Sequence, residues 1–296
     1  MRNTTVFQVK GRSHHLGLRT WLMGIVNVTP DSFYDGGRYL DADGAVEHGL
    51  RLAAEGADIL DIGGESTRPG SDPIPADEER QRVVPVVAGL RRQTDRLISV
   101  DTSKLEVAAA ALDAGADIIN DISAVNLDPR LLLLSAQKDA GFILMHMKGT
   151  PKTMQIHPRY EDVVGEVRSF LADKIEIARA YGLSENNVII DPGIGFGKRL
   201  EDNLALLNGL EALAGLGRPI LLGVSRKSFI GKILDAPAPE RLEGTIAAAV
   251  IGLVRGAHIL RVHDVKAVQR AVLVAEAILN APSGKTLNQE KAGYVH

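Results

Sequence analysis

Glu55-Gly56-Ala57-Asp58-Ile59-Leu60-Asp61 is the stretch whose reading decides the fold. Its design returns at Ala114-Gly115-Ala116-Asp117-Ile118-Ile119 and at Arg255-Gly256-Ala257-His258-Ile259-Leu260. Each copy sets a glycine just past a stretch of helical periodicity, where a left-handed residue closes a helix most cheaply. A short turn then leads into a β-branched apolar run. Asp58 and Asp117 fall on the amino side of their runs and read as turn residues. Outward from the repeat, eight such runs appear: Trp21–Val26, Ile59–Leu60, Leu97–Val100, Ile118–Ile119, Phe142–Met145, Val188–Ile190, Ile220–Val224 and Ile259–Leu260. They stop at Asn27, Asp61, Asp101, Asn120, His146, Asp191, the Ser225-Arg226-Lys227 triplet, and Arg261 with His263. Helical periodicity covers 43–56, 77–93, 104–115, 129–140, 160–182, 201–214, 240–256 and 264–280. Runs apolar on both faces suit a buried parallel sheet, and alternation with helices implies βαβ units. Eight units predict an α/β fold, a single-domain TIM (β/α)8 barrel over 21–282, whose chemistry sits at the carboxyl ends of the strands. Residues 1–20, weakly alternating at Val6–Val9, predict a hairpin on the barrel floor, and the polar stretch 283–296 predicts a disordered tail.

At 296 residues with 45% apolar content, the chain can fill one large barrel, and a formal charge of −3 supplies no basic field for nucleic acid. Absence of cysteine excludes disulfides and thiolate metal sites. The N-terminal residues carry no signal-peptide apolar stretch, and no run approaches the roughly 20 apolar residues of a membrane span. The longest apolar stretch, Ile246–Val254, is flanked by Glu243 and Arg255 and reads as a packed helix. A cytoplasmic enzyme of small anionic substrates, with no nucleic-acid or membrane partner, is the expectation.

Three segments, 29–41, 63–76 and 146–159, are long and rich in Gly, Pro, Thr and Asp, and all follow strand ends. Long loops in a compact domain are usually lids or binding loops. Lys227, with Arg226, Arg261 and His263, would form an anion clamp at the last two strands, where this fold often binds phosphate. Asp101, Asn120 and Asp191 would satisfy themselves on a ring with N–H donors and an amino group, since an isolated buried carboxylate is costly. Asp61 reads as an acceptor for loop N–H groups, Asp121 as pointing away from the mouth, and His146 as a lining residue. Gly193-Ile194-Gly195-Phe196-Gly197 lets backbone approach a flat ligand, without the context of a nucleotide fingerprint. No spacing suggests a protein-only transition-metal site, and Asn27 is the candidate ligand for a Mg²⁺ shared with substrate phosphates.

Met23-Gly24-Ile25-Val26-Asn27-Val28-Thr29-Pro30-Asp31-Ser32-Phe33 and Asp61-Ile62-Gly63-Gly64-Glu65-Ser66-Thr67-Arg68-Pro69-Gly70 closely resemble the two signature segments of the dihydropteroate synthase family. Ser99-Val100-Asp101-Thr102, Asn120-Asp121-Ile122, Asp191–Lys198, Ser225-Arg226-Lys227-Ser228 and Arg261-Val262-His263-Asp264 match it as well, in order, from about residue 20 to 280. The resemblance implies the monofunctional bacterial type, a sulfonamide target and usually a homodimer. It further implies condensation of 6-hydroxymethyl-7,8-dihydropterin diphosphate with 4-aminobenzoate to 7,8-dihydropteroate and diphosphate in folate biosynthesis. Carried over residue by residue, it implies pterin binding by Asp101, Asn120, Met145, Asp191, Gly195 and Lys227. Diphosphate would be bound by Asn27, Thr67, Arg68, Arg261 and His263. Aminobenzoate would be bound by Phe33, Pro69, Phe196, Lys227 and Ser228. Mg²⁺ would sit on Asn27, and Asp101, Lys227, Arg261 and His263 would be the catalytic set. The rivals are a methyltetrahydrofolate-binding methyltransferase barrel, a Schiff-base aldolase with Lys227 as nucleophile, and a non-catalytic pterin-binding protein. Arg68, Arg261 and His263 speak against the first, which needs no diphosphate clamp.

Overall fold

The computed structural model describes residues 3–28, 42–66, 71–124, 126, 128–150, 152–154 and 156–282. The expectations for Phe33, Thr67, Arg68, Pro69 and the 283–296 tail lie outside the described residues.

Two short strands, β1 (Thr5–Val9) and β2 (Arg12–Leu16), pair antiparallel as a hairpin. Eight parallel strands follow: β3 (Trp21–Asn27), β4 (Ile59–Gly63), β5 (Leu97–Asp101), β6 (Ile118–Asp121), β7 (Gly141–Met145), β8 (Val188–Asp191), β9 (Leu221–Gly223) and β10 (Ile259–Val262). They run in the order β8-β7-β6-β5-β4-β3-β10-β9, and a bridge between Ile190 and Ile220 joins the two ends into a barrel. The helices are α1 (Ala42–Ala54), α2 (Ala76–Arg91), α3 (Leu105–Asp113), α4 (Arg130–Gln137), α5 (Val163–Ala180), α6 (Leu200–Asn208), α7 (Ser228–Leu234), α8 (Leu242–Val254) and α9 (Val265–Asn280). Helical periodicity does not anticipate α7. The stretch read as helix over 201–214 divides into α6 and a 3₁₀ segment, Leu210–Leu216. Among the described residues no helix is long and apolar enough to cross a membrane.

One inward residue from each barrel strand (Met23, Ile59, Leu97, Ile118, Ile143, Ile189, Leu221 and Ile259) packs with Phe7, Val9 and Leu16 of the hairpin. The hairpin therefore plugs the amino end of the barrel. Outward residues of the same strands meet the helices in a second, larger apolar shell. Both faces of the strands are buried, which is why the runs lack simple alternation.

The repeat performs one mechanical task three times. Ala57, Ala116 and Ala257 donate to the carbonyls of Leu52, Ala111 and Gly252 at 2.9 Å, closing each helix around its positive-φ glycine. The next residue then grips the strand before it. Asp58 donates its N–H to Leu22 O (2.8 Å) and its carboxylate accepts from Leu22 N (3.0 Å). Asp117 does the same with Ile98 (2.7 and 2.9 Å), and His258 with Ile220 (2.8 and 3.1 Å, through Nδ1). Arg19 neutralises Asp58 through two contacts of 2.8 and 2.6 Å. These side chains are stitches at the barrel floor, as the turn reading of Asp58 and Asp117 anticipated.

Candidate active site

Counting two residues up each strand from the floor gives the next inward set: Ile25, Asp61, Ser99, Asn120, Met145, Asp191, Gly223 and Arg261. Two more bring Asn27, Gly63 and Asp101 to the rim. A polar layer thus rests on an apolar floor, inside a barrel wall that excludes water.

Asp61 is the hub of this layer. It is fully buried, accepts from Arg261 Nε at 2.6 Å, and accepts from Asn120 Nδ2 at 3.2 Å. Arg261 spans the barrel to donate its Nη2 to Asp101 at 2.8 Å. Asp61 is an acceptor, but its donors are two side chains across the mouth and not the loop N–H groups expected of it. Burial works against the Arg261 charge, and Asp61 and Asp101 together overcome it, holding the guanidinium above its ordinary value. Asp101 shows the converse. Burial pushes its carboxyl up to about 7, with Arg261 opposing and the Asp61 charge adding to the rise. Asp191 is also raised by burial, while Lys227 and the Gly193 N–H (2.7 Å) hold it down. Lys227 is pushed down to about 8 by burial, against the pull of Asp191. This Lys227 donates to the Ile194 carbonyl and lies 4.6 Å from the centre of the Phe196 ring. Asp101, Asn120, Asp191 and Lys227 therefore come together, and Met145 and the Gly195-Phe196 backbone wall the same space. A Cβ at Gly195 would lie 3.2 Å from Lys227 Cδ, so the glycine is where the loop approaches the lysine most closely.

Of the residues expected to bind diphosphate, Arg261 stands with Asp61 and with Asp101, a residue expected to bind pterin. His263, half-buried, bonds through Nδ1 to Ser225 Oγ at 2.9 Å. Arg226 turns out of the clamp: its guanidinium is held bidentately by Asp264 at 2.9 and 2.7 Å, and its backbone is left-handed (φ 55°). Ser228 opens α7 at the surface, next to Lys227. Asn27 Oδ1 and Asp101 Oδ2 each lie 3.9 Å from where a Cβ of Gly63 would stand, so Gly63 keeps open a gap between them. No cluster of three or more His, Asp or Glu ligands exists among the described residues. A single amide oxygen at the rim fits Mg²⁺ held mainly by water and substrate phosphates, because that ion prefers oxygen and sheds its waters reluctantly. The base of the second long loop is anchored by Lys104, which pairs with Glu65 (2.6 Å) and with Glu79, and by Arg82, which donates to Gly64 O at 2.8 Å.

Two features were not anticipated. Lys198 is 3% exposed and donates to His146 Nδ1 (2.9 Å), Gly193 O (2.8 Å) and Phe196 O (3.1 Å). Its partner His146 is pushed down to about 3 by burial and by Lys198, so it is a neutral lining residue. Ser99 Oγ, beside Asp61 in the register, is buried without a hydrogen-bond partner. Nothing in the chain marks Lys198 as buried, since lysine after a glycine-rich turn is ordinarily solvated.

Known proteins are similar over nearly the whole length. A dihydropteroate synthase of Synechocystis is 48% identical over 263 residues, 88% of this chain and 91% of that protein. The solved Xanthomonas albilineans dihydropteroate synthase with 4-aminobenzoic acid superposes with a TM-score of 0.88 at 46% identity, covering 95% of this chain and 100% of that one. The Yersinia pestis dihydropteroate synthase in a sulfonamide drug complex gives 0.88 at 43% identity, covering 93% of this chain and 100% of that one. The description "pterin binding enzyme" matches residues 23–263, and the chain belongs to that family.

Proposed function

We infer that the protein is a transferase that condenses 6-hydroxymethyl-7,8-dihydropterin diphosphate with 4-aminobenzoate, the reaction of a dihydropteroate synthase. The observation that carries this reading is the buried mouth. Two carboxylates, an amide and an ammonium face one space in a barrel whose relatives carry that name over most of their length. Asp101, Asp191 and Asn120 can read the amino-pyrimidinone edge of a pterin, and Lys227 can donate to a ring acceptor.

The proposed chemistry is dissociative. The bond between the pterin methylene carbon and the diphosphate oxygen breaks, and the electron-rich ring stabilises the carbon cation. The aminobenzoate nitrogen then bonds to that carbon, a proton leaves the nitrogen, and diphosphate departs. His263 and Arg68 would meet the leaving group, with Arg261 bearing on it from the carboxylate layer and Thr67 completing the contact. Asn27 would hold Mg²⁺, which when bound would neutralise leaving-group charge. Phe196 and Ser228, with Phe33 and Pro69, would place the amine, which needs positioning rather than activation at neutral pH. Substrate binding is ordered, aminobenzoate last; a tight enzyme–aminobenzoate complex without diphosphate would refute that order.

A cytoplasmic homodimer is proposed, supported by exposed apolar residues on α8 (Ile251, Val254) and α9 (Leu273, Val274, Ile278). The deciding experiment incubates the protein with the pterin diphosphate, Mg²⁺ and 4-aminobenzoate and looks for dihydropteroate and diphosphate. Asn27→Ala, Lys227→Ala and Arg261→Ala each lower turnover severely. Normal rates in all three would overturn the site, and absence of product from the parent protein would overturn the reaction.

A further inference from the structure

A buried lysine with no carboxylate contact needs a reason, because desolvating an ammonium is expensive. Lys198 meets that cost with three acceptors for its three N–H groups: His146 Nδ1, Gly193 O and Phe196 O. Two of these belong to the loop that ends at Lys198 itself. That loop is built from left-handed glycines: a Cβ at Gly193 would fall 1.8 Å from His146 O, and one at Gly197 would fall 2.2 Å from Lys148 O. Glycine-rich backbone has the most conformational freedom to lose, so the loop must be tied. Asn203 Oδ1 holds Gly195 N at 2.6 Å and Tyr160 holds Gly197 O at 2.8 Å. Lys198 draws the carbonyls of Gly193 and Phe196 onto one point. The front of the loop faces Lys227, which donates to Ile194 O and sits on the Phe196 ring.

We propose that Lys198 is a positioning residue: its ammonium pins the Gly193–Phe196 loop from behind so that Ile194 O and the Phe196 ring hold Lys227 at the barrel mouth. Burial pushes Lys198 down to about 7, with the Lys227 and Lys148 charges adding to the fall and the Asp191 and Asp202 carboxylates, neither in direct contact, opposing it. Its neutral form would have one N–H fewer than its acceptors require, so the tie is strongest when the group is charged. The effect on catalysis rests on the proposed function; the effect on the loop does not.

The test combines Lys198→Met, Phe196→Ala and their double variant with hydrogen exchange across residues 192–198. Lys198→Met should speed amide exchange at Gly195 at least tenfold and weaken binding of 6-hydroxymethylpterin roughly tenfold. In the Phe196→Ala background the same change should weaken pterin binding by less than about threefold, because the loop no longer has its ring to place. If Lys198→Met does not fold, His146→Phe removes one acceptor while keeping a ring at that position, and should give a smaller loss of the same pattern. Parent-like loop exchange in a folded Lys198→Met protein, or losses that multiply fully with Phe196→Ala, would overturn the proposal. Faster loop exchange in a protein that makes no dihydropteroate would uphold the tie and refute only the reaction.

Discussion

Replacing Asp61 by asparagine tests the hub of the mouth with almost no change in shape. Asp61 is fully buried, and the Arg261 side chain that meets it is 20% exposed, so solvent screens this pair weakly. Removing one partner of a buried ion pair costs about 3–5 kcal/mol when the other charge is abandoned. Arg261 is not abandoned, because Asp101 still accepts from it at 2.8 Å. The substituted amide also keeps a carbonyl oxygen for Asn120 or for Arg261, though not a charge for both. The expected cost falls to about 2–3 kcal/mol, which for a chain of this size lowers the melting midpoint by about 4–12 °C.

The same substitution alters the pH dependence. The folded-state carboxyl of Asp101 is raised, so its contribution to stability is present at low pH and is lost as pH rises through about 7. In Asp61→Asn the Asp61 charge no longer lifts Asp101, and the whole Arg261 charge bears on it. Its value falls, and less stability is lost on going from about pH 5.5 to 8. The stability deficit of the variant should therefore shrink over that interval. Thermal melts of both proteins across the pH range measure it. A variant that melts within about 1 °C of the parent, or a deficit that grows with pH, would refute the hub.

Phe7→Ala removes a fully buried ring from the floor cluster and should cost about 3–5 kcal/mol in thermal unfolding, with KM values unchanged at low temperature because the mouth is at the other end. Arg226→Ala, losing only a partly exposed pair with Asp264, should cost no more than about 1 kcal/mol and leave turnover within a few-fold of the parent, whereas its neighbour Lys227→Ala should lower turnover by at least about a hundredfold. Because Lys227 is depressed to about 8, pterin affinity should fall as pH rises past that value; stability contributed by the same group should increase from there toward the ordinary lysine range, and Lys227→Met should flatten both curves. Ile251→Glu combined with Leu273→Glu should yield a monomer by sedimentation if the exposed α8 and α9 residues form the homodimer contact.

The barrel could be read from the chain because its signals are local. A glycine closing a helix and an apolar run entering the sheet lie within a few residues of each other. The strand direction they imply then sorts acids by end: Asp58, in the turn before β4, binds Leu22 at the floor, while Asp61, within β4, faces the mouth. Helix α7 escaped for an equally local reason. Ser228–Leu234 spans only seven residues with Gly231 in its middle, too short to show a period, and a Cβ at Gly231 would collide with the Arg241 guanidinium 2.2 Å away.

The candidate site was readable as a set of residues and unreadable as a set of pairs. Strand alternation places Asp61, Asp101, Asn120, Asp191 and Arg261 on the inner wall, but nothing local says which carboxylate takes the guanidinium. The Asp61–Arg261 contact joins residues 200 apart in sequence, and the Asp101–Arg261 contact joins residues 160 apart. That distance explains why Arg261 reads as a phosphate ligand from its own strand and becomes a partner of Asp61 and Asp101 once the barrel closes. Arg226 illustrates the opposite case: its partner Asp264 is supplied by the adjacent unit, and the pair removes it from the mouth. The lysines make the point sharpest. Lys198 and Lys227 each follow a turn, and both are depressed by burial. Both feel the Asp191 carboxylate, yet Lys198 gives its N–H groups to a ring nitrogen and backbone carbonyls, whereas Lys227 also feels Asp101 and lies on an aromatic face at the opening. What separates a scaffold lysine from one able to meet a ligand is the chemistry of the closed wall around it, and that wall is assembled from eight strands at once.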